Sequence, residues 1–212
     1  MGNAIEPEAM RDGGPNAGCA LEYVDLRDWL EEVKKRGDLK IVKGAHWKSD
    51  IGQVVEVVCH DENTPTILFD EVQGSPKGFR LLINWFTGTR KNLTLGFSSQ
   101  LNKLELSQAY HRHTRKLSPI PHVIVENGPV FENITEGADI DITKFPSPLW
   151  NPEDGGRYIG TGCFNITRDP DSGWINCGTY RVMVHDEKRV GLYISPGKHG
   201  RIHRDKYMAN DK

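Results

Sequence analysis

The sequence has few cysteines, and their spacing signals no metal or redox centre. Cys19, Cys59, Cys163 and Cys177 are scattered, with no C-x-x-C pair. That argues against a zinc ribbon or a thioredoxin-like site and leaves free thiols in a reducing compartment as the simplest account. Long apolar runs are also missing. Nothing approaches the roughly 18 consecutive apolar residues of a membrane span, and the first residues lack the basic-then-apolar order of a signal peptide. A soluble, cytoplasmic protein with no membrane partner is therefore expected. Neither sign of charge is in excess: 27 basic residues face 29 acidic ones, spread along the chain, for a net charge of -2. Nucleic acid is accordingly not an expected partner. Neither G-x-x-x-x-G-K-[ST] nor G-x-G-x-x-G after a strand occurs, so a Walker loop and a dinucleotide fingerprint are excluded. Internal repeats, heptads and low-complexity tracts are lacking too.

What is present supports an α+β protein of two domains. With 212 residues, 37% of them hydrophobic, the chain can bury a real core. The proline-punctuated stretch Leu117-Ser118-Pro119-Ile120-Pro121-His122 marks the change between domains. Residues 1–20, with Gly13-Gly14-Pro15-Asn16, read as a mobile arm. Residues 21–118 read as a small amino-terminal domain and residues 119–212 as a second one. In the first, Asp25 is placed to cap a helix with apolar residues at Leu26, Trp29, Leu30 and Val33, and Gly37 is placed to stop it. A strand over Leu39–Val42 follows, then a helix behind Ser49-Asp50 with Ile51, Val54, Val55 and Val58 as its stripe. Strands at Thr66–Phe69 and Phe79–Asn84 flank a Gly-Ser-Pro-Lys-Gly turn. Further helices are expected from about Thr87 and around Leu101, Leu104 and Leu106. His111 and His113, beside Arg112 and Arg115, read as a solvated basic face. In the second domain, Val123–Glu126 and Val130–Ile134 alternate as strands, while Pro146 and Pro148 forbid a regular central strand near residue 147.

The stretch from Gly155 to His203 carries most of the chemistry. Two alternating runs, Cys163–Thr167 and Thr179–His185, flank the turn-rich Arg168-Asp169-Pro170-Asp171-Ser172-Gly173 and predict a hairpin. A third run, Arg189–Ile194, extends it into an antiparallel meander that stops at Ser195-Pro196-Gly197. Asn176, Arg181 and His199 are polar residues within or just after these strands. An amide oxygen, a guanidinium fork and an imidazole together suit an anionic ligand with a metal. On residue type alone, Asn176 can equally be a turn residue bonded to its own backbone, and His199 a locally hydrogen-bonded loop histidine. Arg181 has the stronger independent case, because a guanidinium buried in an apolar strand needs an anionic partner.

Asp154-Gly155-Gly156-Arg157-Tyr158-Ile159-Gly160-Thr161, then Asn176, Arg181 five residues on and His199 eighteen after that, resemble the UbiD family of decarboxylases. The resemblance extends more weakly upstream, through Phe145-Pro146-Ser147-Pro148-Leu149-Trp150 to about Leu26. It implies that the second domain is part of a flavin-reductase-like split β-barrel binding prenylated FMN, a cofactor made by a flavin prenyltransferase. The implied reaction is reversible removal of carbon dioxide from an aromatic or α,β-unsaturated acid. It further implies that Asn176 and His199 hold a divalent ion, manganese before magnesium given the imidazole, with potassium a further candidate ion. Thr161, Thr179 and Lys198 would contact the cofactor, and Arg181 would bind the substrate carboxylate beside the flavin. Full-length relatives continue well past the match to His199. The resemblance therefore implies that the remaining metal carboxylate, the catalytic glutamates and the oligomerising domain lie beyond Lys212. On that expectation this chain alone is not a competent enzyme and works as a homo-oligomer or with a second subunit. The alternative is a non-catalytic FMN-binding or structural subunit.

Overall fold

A computed structural model describes residues 21–121, 123–160 and 162–210; the expected amino-terminal arm and Thr161 lie outside the described residues. A first sheet has the order β1-β2-β3, formed by β1 (Leu39–Lys43), β2 (Thr66–Asp70) and β3 (Leu81–Ile83). The chain divides into two compact units, each assembled from separate stretches. One comprises the chain to Val42 with Val57–Leu68 and Leu82–Ile134, the other Lys43–Glu56, Phe69–Leu81 and Thr135–Lys212.

In the first unit, helix α1 (Leu26–Lys35) begins where the Asp25 carboxylate accepts the backbone N–H groups of Arg27 and Asp28, a cap worth about 1 kcal/mol. It ends at Gly37, whose φ of 71° lets its N–H reach Lys34 O while Asp38 N–H reaches Val33 O, satisfying two end carbonyls. The stripe buries Trp29, Leu30 and Val33 against Leu21 and Leu93. Leu26, expected on the same face, is instead exposed. Trp29 Nε1 donates to Thr94 Oγ1 at 2.9 Å, meeting the need of a buried indole for a polar partner.

Helix α3 (Gly88–Thr94) carries Arg90, which is 4% exposed. Its Nη1 donates to both Asp38 carboxylate oxygens at 2.6 and 2.7 Å, and its Nη2 to Thr64 O, Asn84 O and Thr87 Oγ1. Helix α4 (Lys103–Thr114) starts with a reciprocal capping box between Asn102 and Glu105. It buries Leu106 and Ala109 on Phe97.

Two expected strands do not form. Val123–Glu126 has no regular structure, with Val123, Ile124 and Val125 exposed, and Pro129–Phe131 makes one 3-10 turn. Alternation says which face a residue would take, but a strand also needs a neighbour's ladder. Pro119, Pro121 and Pro129 remove donors nearby.

Helix α2 (Asp50–Val58), which belongs to the second unit as far as Glu56, has Ile51 fully buried and the rest of its expected stripe half-buried. Gly52 faces backbone oxygens of Trp150 and Leu149, at 2.3 and 2.8 Å from where a Cβ would sit, so only glycine fits there. This contact holds the extended segment around Ser147-Pro148, as does Leu149 N–H donating to Trp47 O at 3.1 Å. As expected, the segment is not a strand. Its carbonyls serve as acceptors: Arg157 Nε donates to Ser147 O and Tyr158 N–H to Pro148 O.

Strands β4 (Arg157–Gly160), β7 (Val182–Val184) and β8 (Val190–Leu192) form an antiparallel sheet of order β4-β7-β8, with a slip between Tyr158 and Gly160. β5 (Phe164–Arg168) and β6 (Ile175–Thr179) form a separate two-stranded ribbon. This corrects the predicted hairpin. The partner of the first run is Ile175–Thr179, not Thr179–His185, because Tyr180 and Arg181 break the chain and pass it from the ribbon to the other sheet. The two sheets do not close into a barrel among the described residues. Helix α5 (His199–Ala209) packs on the ribbon, so His199 opens a helix instead of lying in the expected loop.

Candidate functional site

The ribbon, the Tyr180-Arg181 break and the start of α5 enclose a cavity of about 650 Å³. Its wall includes Asn176, Thr179, Arg181, Lys198 and His199, five of the six residues singled out from the sequence; the sixth, Thr161, lies outside the described residues. Tyr180 and Tyr193 complete much of the remaining wall, and no carboxylate among the described residues contributes to it.

Asn176 is 8% exposed and pairs directly with Thr167 across the ribbon. It is a strand residue, so the turn reading does not hold. Its Nδ2 donates to Thr167 Oγ1 at 3.1 Å and to Tyr180 Oη at 3.4 Å. Its Oδ1 accepts no hydrogen bond among the described residues. His199 is exposed at the first position of α5, and Trp174 packs on its ring at 4.8 Å between centroids. Lys198 is the residue before the helix and gives it no side-chain cap. A helix start leaves backbone N–H groups pointing outward and carries partial positive charge.

Arg181 departs from its sequence reading. It is exposed in the break between β6 and β7, not buried within a strand. Its guanidinium lies 5.1 Å from the Tyr158 ring centroid, and no ion pair holds it among the described residues. Burial therefore demands no partner for this guanidinium. The case for an anionic ligand rests instead on an unpaired cation in a cavity wall. A second cavity, of about 530 Å³ and lined by Tyr158, Met183, Gly191, Leu192 and Tyr193, shares Arg181 with the first. The guanidinium thus borders both cavities.

Two features of the site were not read from the sequence. Tyr180 lies against Gly178 and Gly200, where a Cβ would come within 2.4 and 2.8 Å of its ring. Its Oη accepts Gly200 N–H at 3.1 Å. The glycines on either side were the available signal. Behind Asn176 lies a polar group in which His203 and Asp169 are buried and Thr167 and Lys206 half-buried. Lys206 donates to Asp169 at 2.7 Å, and this bond, followed by backbone N–H groups of Ser172 and Asp171, holds the Asp169 carboxyl well below the usual carboxylate range. No local spacing announces this group, because its members come from β5, the turn and α5.

Comparison with known proteins identifies the family. Residues 30–109 match the 3-octaprenyl-4-hydroxybenzoate carboxy-lyase N-terminal domain, and residues 122–212 match the Rift-related domain of the same carboxy-lyases. The chain belongs to the UbiD family. It corresponds to the amino-terminal portion of UbiD proteins: it is 28% identical over 205 residues to the pyrrole-2-carboxylic acid decarboxylase of Pseudomonas aeruginosa, a match covering 89% of this chain and 40% of that protein. The closed form of Sedimentibacter hydroxybenzoicus vanillic acid decarboxylase superposes with a TM-score of 0.82 at 26% identity, over 91% of this chain and 42% of that one. An evolved dimeric form of the UbiD-class enzyme HmfF from Pelotomaculum thermopropionicum, solved with prenylated FMN, gives a TM-score of 0.70 at 26% identity, over 87% of this chain and 41% of that one. The chain thus spans about 40% of the length of these UbiD relatives. Its mixed α+β fold is theirs, and no helix among the described residues is long and apolar enough to cross a membrane.

Proposed function

We propose that this chain supplies the amino-terminal half of the site of a UbiD-type carboxy-lyase acting on an aromatic or α,β-unsaturated acid with prenylated FMN and a divalent ion. The observation that carries the reading is the convergence of Asn176, Thr179, Arg181, Lys198 and His199 on one cavity with no carboxylate. The donor set fits a phosphate-bearing cofactor: Lys198 and the start of α5 are positive, and Asn176 Oδ1 and the His199 ring are available as ligands. Two neutral ligands attract a cation weakly, so the ion and the phosphate suit this cavity together better than either does alone. An imidazole with an amide oxygen favours manganese over magnesium.

When bound, prenylated FMN supplies the electron sink that decarboxylation requires and that side chains lack. Arg181 binds and orients the substrate carboxylate, its planar fork matching both oxygens. Met183, Leu192 and Tyr193 offer an apolar wall beside it for the body of an aromatic or unsaturated acid. No acid that could return a proton lines either cavity among the described residues. That observation favours, as a second reading, a non-catalytic FMN-binding subunit. The outward face of the ribbon leaves Phe164 and Ile166 72% and 65% exposed, which supports a homo-oligomer or a second subunit in the working assembly.

The test is native mass spectrometry of the chain purified from cells coexpressing a flavin prenyltransferase, with manganese supplied. Retained prenylated FMN and metal are expected. Ordinary FMN retained in preference to the prenylated form would favour the second reading, and bare protein would remove the basis for both.

A further inference from the structure

Asn176 is a ligand candidate whose direction matters, since only the carbonyl end of its amide can meet a cation and only the amino end can donate. The register sets Thr167 of β5 opposite Asn176 of β6. Thr167 Oγ1 lies 3.1 Å from Asn176 Nδ2 and 2.9 Å from His203 Nδ1. His203 is 1% exposed; its Nε2 lies 3.8 Å from Asp169 Oδ2 and has no hydrogen-bond partner.

A threonine hydroxyl has one proton to give. When His203 Nδ1 is bare, it takes that proton, and Thr167 can then only accept from Asn176, which requires the amide's amino end. When Nδ1 carries the ring proton, Thr167 is free to donate to Asn176 and the amide can reverse. The choice is made at the far side of the imidazole. Asp169, tied to Lys206 and to the N–H groups of Asp171 and Ser172, is an anion facing Nε2. Its charge attracts a ring N–H there and repels a bare lone pair.

We propose that Asp169, His203 and Thr167 form a polar relay that fixes the direction of the Asn176 amide and so presents its Oδ1 to the cavity. All three are positioning residues, since none lines the cavity. Tyr180 Oη, which accepts the Gly200 N–H, also lies 3.4 Å from Asn176 Nδ2; with its own proton still to give it can meet either end of the amide and leaves the choice to Thr167. The use of the presented oxygen as a metal ligand rests on the function proposed above; the direction of the amide does not.

The relay has a spectroscopic signature independent of activity. Long-range proton–nitrogen correlation NMR on the ¹⁵N-labelled protein distinguishes the two neutral histidine tautomers, and His203 is expected with its proton on Nε2. A proton on Nδ1 would overturn the relay. Manganese titration followed by electron paramagnetic resonance, with FMN present, supplies the second readout. Thr167→Val is expected to weaken binding by about tenfold or more, the size seen when a ligand's own hydrogen-bond partner is removed, and Thr167→Ser to restore it. Wild-type affinity in a folded Thr167→Val would also overturn the proposal. Should that variant not fold, the tautomer and Thr167→Ser decide: a folded serine variant that binds manganese about tenfold more weakly than wild type contradicts the relay. Wild-type protein with the Nε2 proton but no manganese uptake would uphold the relay and refute the metal reading instead.

Discussion

Arg90 and Arg181 are the same side chain put to opposite uses. Arg90 lies buried in the first unit, with its two Nη groups bonded to Asp38, two backbone carbonyls and Thr87, and its Nε alone without a partner among the described residues. Arg181 stands in the wall of a cavity in the second unit, over Tyr158, with no ion pair among the described residues. A charge closed by its own protein is part of the fold. A charge left open in a concave wall is available to a ligand, and this contrast carries the functional reading more than either residue's identity does.

Removing each arginine is the most forceful way to break the comparison. Arg90→Ala is expected to lower stability by about 3–5 kcal/mol, because it strands Asp38 and three acceptors; urea denaturation measures it. Arg181→Ala is expected to leave stability within about 0.5 kcal/mol and flavin retention largely intact. Turnover in the assembled enzyme should fall by about 10²–10³, as when a charge-stabilising donor is removed. Equal destabilisation by both variants would dissolve the contrast.

A gentler probe is pH. Asp169 has its folded pKa depressed chiefly by Lys206, so its contribution to stability is fully present above the ordinary carboxylate value of about 4 and is lost as pH falls below it. The stability gap between wild type and Asp169→Asn, from urea melts across pH, should therefore be constant at neutral pH and close in the acid range. The smallest effect belongs to the first unit's local structure. Asp25→Ala should cost about 1 kcal/mol through the lost cap and leave ligand binding in the second unit unchanged.

Local rules made part of this molecule legible. Asp25 and Gly37 bound α1 because capping and left-handed backbone are decided by adjacent residues. Asn176, Arg181 and His199 were legible as a group, and they do line one cavity. What was hidden depends on partners far along the chain. The run Thr179–His185 alternates like one strand, yet Tyr180 and Arg181 divide it between two sheets, and alternation cannot name a strand's neighbour. Val123–Glu126 alternates equally well and pairs with nothing among the described residues. Arg181 was expected to be buried because its neighbours are apolar, whereas the break turns it outward. The group behind Asn176 joins Thr167 to His203 over 36 positions, a separation at which sequence spacing carries no signal.

If the cavity of Asn176, Lys198 and His199 holds a cation and a phosphate jointly, each should tighten the binding of the other. Manganese titration of the protein by electron paramagnetic resonance, with and without FMN, tests it most directly. The account expects weak binding alone, binding tightened by FMN, and loss of that tightening in His199→Ala. Tight manganese binding that ignores FMN, or survives His199→Ala unchanged, would contradict it.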